Sequence, residues 1–535
     1  MLFSSLLALS VHLGPRAAPP RLSRAAVTAA ATLDVGAVVP TRAPAAVGAD
    51  AWAASLDYPA FRAEVNALGK RLEDGQGEAD VRHLKKMLAW SNACALVGVA
   101  TMWMSGPLAR LLPIIALSTW TCTRWTMIGH HICHGGYNRQ DDRRVGGSGR
   151  FTSAGFAVGS AWRRARDWLD WMLPEAWNVE HNNLHHYRLS ESGDPDLVER
   201  NLELMREFPA PRPIKYVAVA FLAAMWKWCA APRNSGATRR NSAQSGATPA
   251  QLRRNSARPS PTPPPPHPRY YYAPNTYKQL KIQQLRKEGV EVSESFAHEP
   301  FTLPVALFGL DECRKLRTGP LDFMRRVMGP MLLLRFFALP APLLLAGAPL
   351  YWAAVANLAL ADALSNIHSF IIIATNHCGK DMYKFENSVK PRSGSFYMRA
   401  ITSSANFRTS NGVRPDGTAR KVHGHRADLN DFFHGWLNYQ IEHHCWPQLS
   451  MLSYQKAAPE LRAICERHGV PYVQNNVFTR LKRTADVMVG KDDMRPFDAS
   501  WEHAADRFVW DDQKTAKAAR EIVSEKENSD EWAVA

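Results

Sequence analysis

The chain has 535 residues, 46% of them hydrophobic and 21% charged, with a mean hydropathy of −0.28 and a formal net charge of +16. That length allows a large core and about two to four domains. Its eight cysteines (Cys94, Cys122, Cys133, Cys229, Cys313, Cys378, Cys445, Cys465) are scattered without a CxxC pair, which argues against a disulfide framework. The charge does not indicate nucleic acid as a partner, because residues 1–49, 231–272 and 409–427 contribute +3, +7 and +3 of it and leave the remainder nearly neutral.

Residues 1–50 read as a disordered targeting leader. An apolar start (Leu2 to Leu13) precedes an Ala/Ser/Thr/Arg/Pro-rich run in which Asp34 is the only acid before Asp50. An acid-poor, Arg-containing segment suits import into a plastid or mitochondrion, and the apolar opening could be a secretory signal ahead of it. Residues 51–86 are polar and helix-prone. Four apolar stretches follow: Met87–Met104, Pro107–Met127, Met328–Leu350 and Trp352–Thr375. Each approaches the ~20 residues that cross a bilayer as a helix. Trp103, Trp120, Trp125, Tyr351 and Trp352 lie near their ends, as an interfacial belt requires. Ile214–Ala230 is apolar but flanked by charge, and is expected to lie in the interface.

Residues 231–269 repeat Arg-Arg-Asn-Ser-Ala (239–243 and 253–257) and run into a Pro-rich tract, the composition of a low-complexity disordered insertion. Residues 409–427 read as a shorter insertion. Tyr454–Gly469 has the pattern of an amphipathic helix with Leu461 and Ile464 inward, and 491–535 reads as a polar tail. The expected fold is an all-α membrane protein: two transmembrane helical hairpins, about four spanning helices, and a helical cap carrying a di-metal site at one membrane face. Its domain divides into a first part, 51–230, and a second part, 270–490.

Eight of the 19 histidines fall in three clusters. His130, His131 and His134 follow the second apolar stretch; His181, His185 and His186 come next; His443 and His444, with Gln440, follow the fourth. On an α-helix, His130/His134 and His181/His185 are i,i+4 neighbours that can share one metal. Adjacent histidines point about 100° apart, so His185/His186 and His443/His444 could each serve two metals side by side. Imidazole suits Zn, Cu, Fe and Ni, so ligand type alone does not choose the metal; eight imidazoles exceed one mononuclear site and imply two ions. Two crossings separate the second box from the third, so all three clusters can meet at one membrane face.

In the fourth stretch Asp362, Asn366, Ser369 and His377 span roughly 80° of a helix face. Polar groups within a membrane helix usually face an interior site. His377 emerges at the box-bearing end and is a candidate ninth imidazole. Asp362, Asn366 and Ser369 are candidates for lining a substrate channel, with interhelical hydrogen bonding the other reading. Glu442 is either a hydrogen-bond acceptor behind the ligands or a surface residue.

With HHxxH (His130–His134), HxxxHH (His181–His186) and QxxHH (Gln440–His444), the chain resembles the membrane fatty acid desaturase superfamily from about Asp57 to Gly490. The resemblance implies two iron ions that activate O2, held by His130, His134, His181, His185, His186, His443 and His444, with His131 as a further candidate and no catalytic group beyond the ligands. Gln440 stands where many members have His, a replacement found in front-end desaturases. The fused haem domain with an HPGG motif is missing here. The implied partners are therefore a membrane lipid or acyl substrate and an external electron donor, a ferredoxin or free cytochrome b type, with no nucleic acid. The implied location is integral to a membrane, of the plastid in preference to the endoplasmic reticulum. The same machinery could hydroxylate, acetylenate or epoxidise. A histidine-rich metal transporter is the alternative from another class, but it would place its ligands near the bilayer midplane.

Overall fold

A computed structural model describes residues 50–227, 272–409 (apart from 294, 295, 298, 300 and 302) and 425–508. Residues 1–49 of the expected leader 1–50, all of the insertion at 231–269 and most of that at 409–427 lie outside the described residues. Helix α1 (Tyr58–Asp74) starts where the Asp57 carboxylate accepts the Ala60 N–H at 3.0 Å, and buries Phe61, Val65, Leu68 and Leu72 along one face. Helix α2 (Glu78–Thr101) starts at Gly77, whose N–H is accepted by Asp80 at 2.8 Å. Helix α3 (Leu111–Cys122) continues through a π-helical turn, Thr123–Gly129, into His130–Cys133. A Cβ on Gly98 would lie 2.7 Å from Leu117, and Thr123 donates to Ser91 at 3.1 Å, so α2 and α3 are antiparallel and close.

Helix α4 (Arg212–Met225) keeps Ile214, Val217 and Phe221 exposed, and α5 (Tyr272–Lys287) resumes the described chain. Helix α6 (Ala348–Ile373) runs parallel to α3: Arg110 donates to Asn357 at 2.8 Å near one end, and Cys122 meets Ser369 at 3.6 Å near the other. Two helical runs among the described residues, Leu321–Ala346 and Ala348–Asn376, are long and apolar enough to cross a membrane. The break between them falls inside the expected stretch Met328–Leu350. Gly347 adopts φ +127°, which disfavours any side chain, and Pro340, Pro342 and Pro349 bracket the turn. The first pair is less apolar over its full length because α2 opens with a charged half, α3 carries Thr119 and Thr121, and the π-helical turn that continues it carries Thr123 and Arg124. Leu96, Ile115, Leu333, Phe337, Leu345 and Trp352 nonetheless stay exposed on these helices.

The cap is built from α7 (Gly394–Thr402), α8 (Gln440–Cys445), α9 (Met451–His468) and α10 (Val477–Met488). Helix α9 packs on α1, with Leu461 and Ile464 buried. The fold is mostly but not wholly α. Three two-residue strand pairs lace the cap: β1 (Tyr383–Lys384) with β5 (Arg495–Pro496), β2 (Ser388–Val389) with β6 (Arg507–Phe508), and β3 (Asn406–Phe407) with β4 (Gln474–Asn475). Residues 491–508 are thus part of the fold rather than the start of a polar tail. Their charged side chains find partners across the cap, which composition alone does not reveal. The seven cysteines among the described residues are free thiols.

Gly69 lets α1 lie flat on Trp446, just after the third box; a Cβ there would stand 2.2 Å from Trp446 Nε1. Gly69→Ala is expected to destabilise the protein by about 1–3 kcal/mol through overpacking, read as a lower melting temperature in detergent.

Candidate metal centre

The three boxes arrive from three elements: the helical run continuing α3, the π-helical turn Asn178–His185, and α8. His377 joins them from the turn that ends α6. Their imidazoles form two groups, His130, His134, His181, His186 and His443 in one, His185, His377 and His444 in the other, with the candidate ligand atoms of each group within 4.8 Å of one another. All eight rings are buried. The groups adjoin, since His186 stacks on His444 with centroids 4.5 Å apart.

The assignment to groups departs from the α-helical expectation. His181 joins His186 in the first group, because the segment is π-helical and the His186 N–H reaches the His181 carbonyl at 3.1 Å, while its ligand atom also stays within 4.8 Å of those of His185 and Asp196, as the i,i+4 spacing predicts. His185 therefore faces the second group while His186 faces the first. His443 and His444 divide between the groups as adjacent helical residues do.

Hydrogen bonds set the tautomers. His130 Nδ1 faces the Thr126 carbonyl at 3.1 Å and must carry the hydrogen, leaving Nε2 bare. His443 Nδ1 lies 3.3 Å from Tyr454 Oη, whose own hydrogen faces the Trp446 and Pro447 carbonyls, so His443 donates. His185 Nδ1 donates to Asp194 at 2.9 Å, and Asp194 is held by the backbone N–H groups of Ser190 and Asp196. In the first group four Nε2 atoms close a ring, with His130–His443 at 2.9 Å, His443–His186 at 3.1 Å, His186–His181 at 3.2 Å and His181–His130 at 3.0 Å. The Nε2 atoms of His130 and His443, both bare in these tautomers, face each other at 2.9 Å, and such lone pairs repel unless a cation lies between them. The His134 Nε2 is also buried and lacks a hydrogen-bond partner. The donor set fits a metal ion.

Burial holds His130, His134, His181, His186, His377, His443 and His444 well below the usual imidazole range, hence neutral and able to ligate. At His185 burial also pushes downward, but the charge and hydrogen bond of Asp194, with Asp196 behind it, outweigh this and raise it. Gln440 Nε2 lies 2.9 Å from His377 Nε2 and 3.1 Å from His444 Nε2, and its Oε1 has no hydrogen-bond partner. Turning the amide over would present that oxygen to the second group.

His131 falls in neither group. Its Nδ1 is taken by the Met127 carbonyl and its ring sits 5.7 Å from that of His443. Asp362 accepts from Trp171 at 2.8 Å and faces Arg335, Asn366 donates to the Ala224 carbonyl at 2.9 Å, and Ser369 meets Cys122. None of the three lines the cavity beside the metal groups. That cavity has apolar walls (Trp125, Trp226, Phe370, Ile373, Leu437, Met488) and a polar side formed in part by His130, His181, His185, His377 and Gln440. Glu442 is fully buried, accepting from Asn406 at 2.8 Å and from Tyr472, and burial pushes its carboxyl up to about 7. The surface reading of Glu442 is therefore set aside. Sequence reasoning missed Asp194 and Tyr454, whose only signal was an acid-rich run after the second box and an aromatic after the third.

Residues 269–476, which include His377 and the third box, match the fatty acid desaturase family. The chain is 39% identical over 60 residues to the mouse (Mus musculus) fatty acid desaturase 2-like protein FADS2B, covering 11% of this chain and 12% of that protein. It is 41% identical over 51 residues to fatty acid desaturase 3 of Bos taurus, covering 10% and 12%. It is 40% identical over 47 residues to the Delta(8)-fatty-acid desaturase of Euglena gracilis, covering 9% and 11%. The matched segments thus span about an eighth of these relatives' lengths. No solved structure matches the chain. Over residues 269–476, about two fifths of its length, the chain is similar to the fatty acid desaturase family, and the same segment carries His377 and the third histidine box.

Proposed function

We propose that the chain is an integral membrane fatty-acyl desaturase that uses O2 and two electrons from a separate donor to introduce a double bond into the acyl chain of a lipid. The observation that carries this reading is the pair of buried imidazole groups on one side of an apolar cavity, at the ends of α3 and α6. In the proposed topology α2, α3, Leu321–Ala346 and α6 cross the membrane as two hairpins. Since α3 and α6 run parallel, the first box and His377 leave the bilayer on one face.

Two iron ions, one per group, would supply the oxidising power that removes hydrogen from an unactivated methylene. The chain's own residues do the rest. Thr126, Tyr454 and Asp194 hold imidazoles with Nε2 turned inward. Trp125, Trp226, Phe370 and Ile373 line an apolar path that excludes water and sets which methylene faces the histidines. His130, His181, His185, His377 and Gln440 form the side of the cavity that such a methylene would meet. The donor is a ferredoxin or free cytochrome b type, and Gln440 in the third box supports front-end regiochemistry. The acid-poor leader favours a plastid membrane, with the endoplasmic reticulum as the alternative.

Expression in a host that lacks polyunsaturated lipids is expected to yield new double bonds, located by mass spectrometry and dependent on oxygen. Hydroxylated or acetylenic lipid in their place would assign the sister chemistry. Tight metal without any oxygen-dependent lipid product would refute the enzyme reading.

A further inference from the structure

We propose that residues 477–508 form a clamp for the second histidine group, with Arg480 and Glu502 as positioning residues. This inference rests on the di-iron reading above.

The two groups are supported differently. In the first, His130 and His443 are oriented from nearby in sequence, by Thr126 and Tyr454. In the second, His377 has no such partner: its Nδ1 is buried without a hydrogen bond, and its Nε2 faces Gln440. The ring's direction is therefore set by the backbone turn that carries it. Arg480, fully buried on α10, grips that turn on both sides of His377, donating from Nε to the Thr375 carbonyl at 3.0 Å and from Nη2 to the Cys378 carbonyl at 2.8 Å. Its Nη1 is bidentate on Asp381 at 2.9 Å to each oxygen, and Thr484, one helical turn on, donates to the Cys378 carbonyl at 2.9 Å. A planar guanidinium with three separate acceptors fixes position as well as charge.

His185 is gripped at one remove. Its acceptor Asp194 lies in the loop after the second box, and the same loop carries Glu191. Arg399 on α7 bridges Glu191 Oε1 at 2.6 Å and Glu502 Oε1 at 2.5–2.7 Å, with all three side chains buried. Glu191 Oε2 accepts from Ser388 at 2.5 Å, and the Phe385 N–H donates to the Ser190 carbonyl at 3.0 Å. Glu502 is in turn held by the strap of β5 and β6, by Tyr58 on the Trp501 carbonyl at 2.9 Å, and by Asp506, which accepts the Ser395 N–H at 3.0 Å. Both arms thus end on the second group. His444 alone of its members belongs to the third box.

The test is iron stoichiometry in the full-length protein, loaded anaerobically with Fe(II) and challenged with a graded chelator, alongside melting temperature. Arg480→Lys keeps the charge but cannot reach three acceptors; Glu502→Gln keeps the shape and removes the charge. Folded Arg480→Lys and Glu502→Gln proteins are expected to retain one iron at wild-type affinity and to bind the other about 10–100-fold more weakly. Both irons held as in wild type, or both weakened alike, would overturn the proposal. If Arg480→Lys does not fold, Glu502→Gln alone decides it. A wild-type protein that never takes up two irons would instead refute the di-iron reading.

Discussion

His443→Ala is expected to remove iron from the first group and to lower desaturation on the order of 10³-fold or more, while the protein still inserts in the membrane. The ring of four Nε2 atoms explains the size of the effect. His443 forms two of its four edges, to His130 at 2.9 Å and to His186 at 3.1 Å. Its removal leaves an opened set in which the remaining imidazoles lose their common centre. Loss of a residue that only supports a ligand already costs 10–100-fold in affinity or activity, so loss of the ligand itself should cost more. The chain offers no acid–base substitute for breaking an unactivated C–H bond, so activity should fall with the metal. The measurements are iron per chain and oxygen-dependent lipid product. Unchanged iron and product in this variant would remove the five-histidine group from the chemistry.

Asp362→Leu is expected to destabilise the protein by about 3–5 kcal/mol, because it strands a buried guanidinium. Asp362 lies on α6 with its carboxylate 3.7 Å from Arg335 and 2.8 Å from Trp171 Nε1, and Arg335 also donates to Thr121 at 2.8 Å. Both charged side chains are buried among apolar helices, where an unpaired charge is costly. The double variant Arg335→Met/Asp362→Leu removes both charges and should recover most of the loss. Melting temperature in detergent reads both variants, and lipid analysis reads the competing role. An Asp362→Leu protein of wild-type stability but altered product profile would make Asp362 a channel residue instead of a helix tie.

Legibility in the sequence followed the range of the interaction concerned. The boxes are local patterns, and their residues all reach the site except His131, whose ring packs outside both groups. The fourth apolar stretch was legible because its length and composition are set residue by residue. The break between the third and fourth apolar stretches falls a few residues earlier than their composition suggests, since Pro340, Pro342 and the positive φ of Gly347 outweigh the apolar run that continues to Leu350. The π-helical turn at the second box was not legible at all. An α-helix pairs His181 with His185, and only the packed backbone selects the longer repeat that pairs it with His186.

From its sequence alone, this protein's identity as a histidine-box chain with apolar helices was already determined, because ligand chemistry and hydropathy belong to individual side chains and their spacing. The tertiary structure decided how eight imidazoles divide between two groups, that His377 lies in the second of them, and that Arg480 reaches back to the carbonyls of Thr375 and Cys378 on either side of it. Those outcomes depend on backbone geometry and on hydrogen bonds between residues far apart in the chain, 208 positions between Arg399 and Glu191 and 103 between Arg399 and Glu502. No local pattern encodes such contacts, since they exist only once the helices have packed.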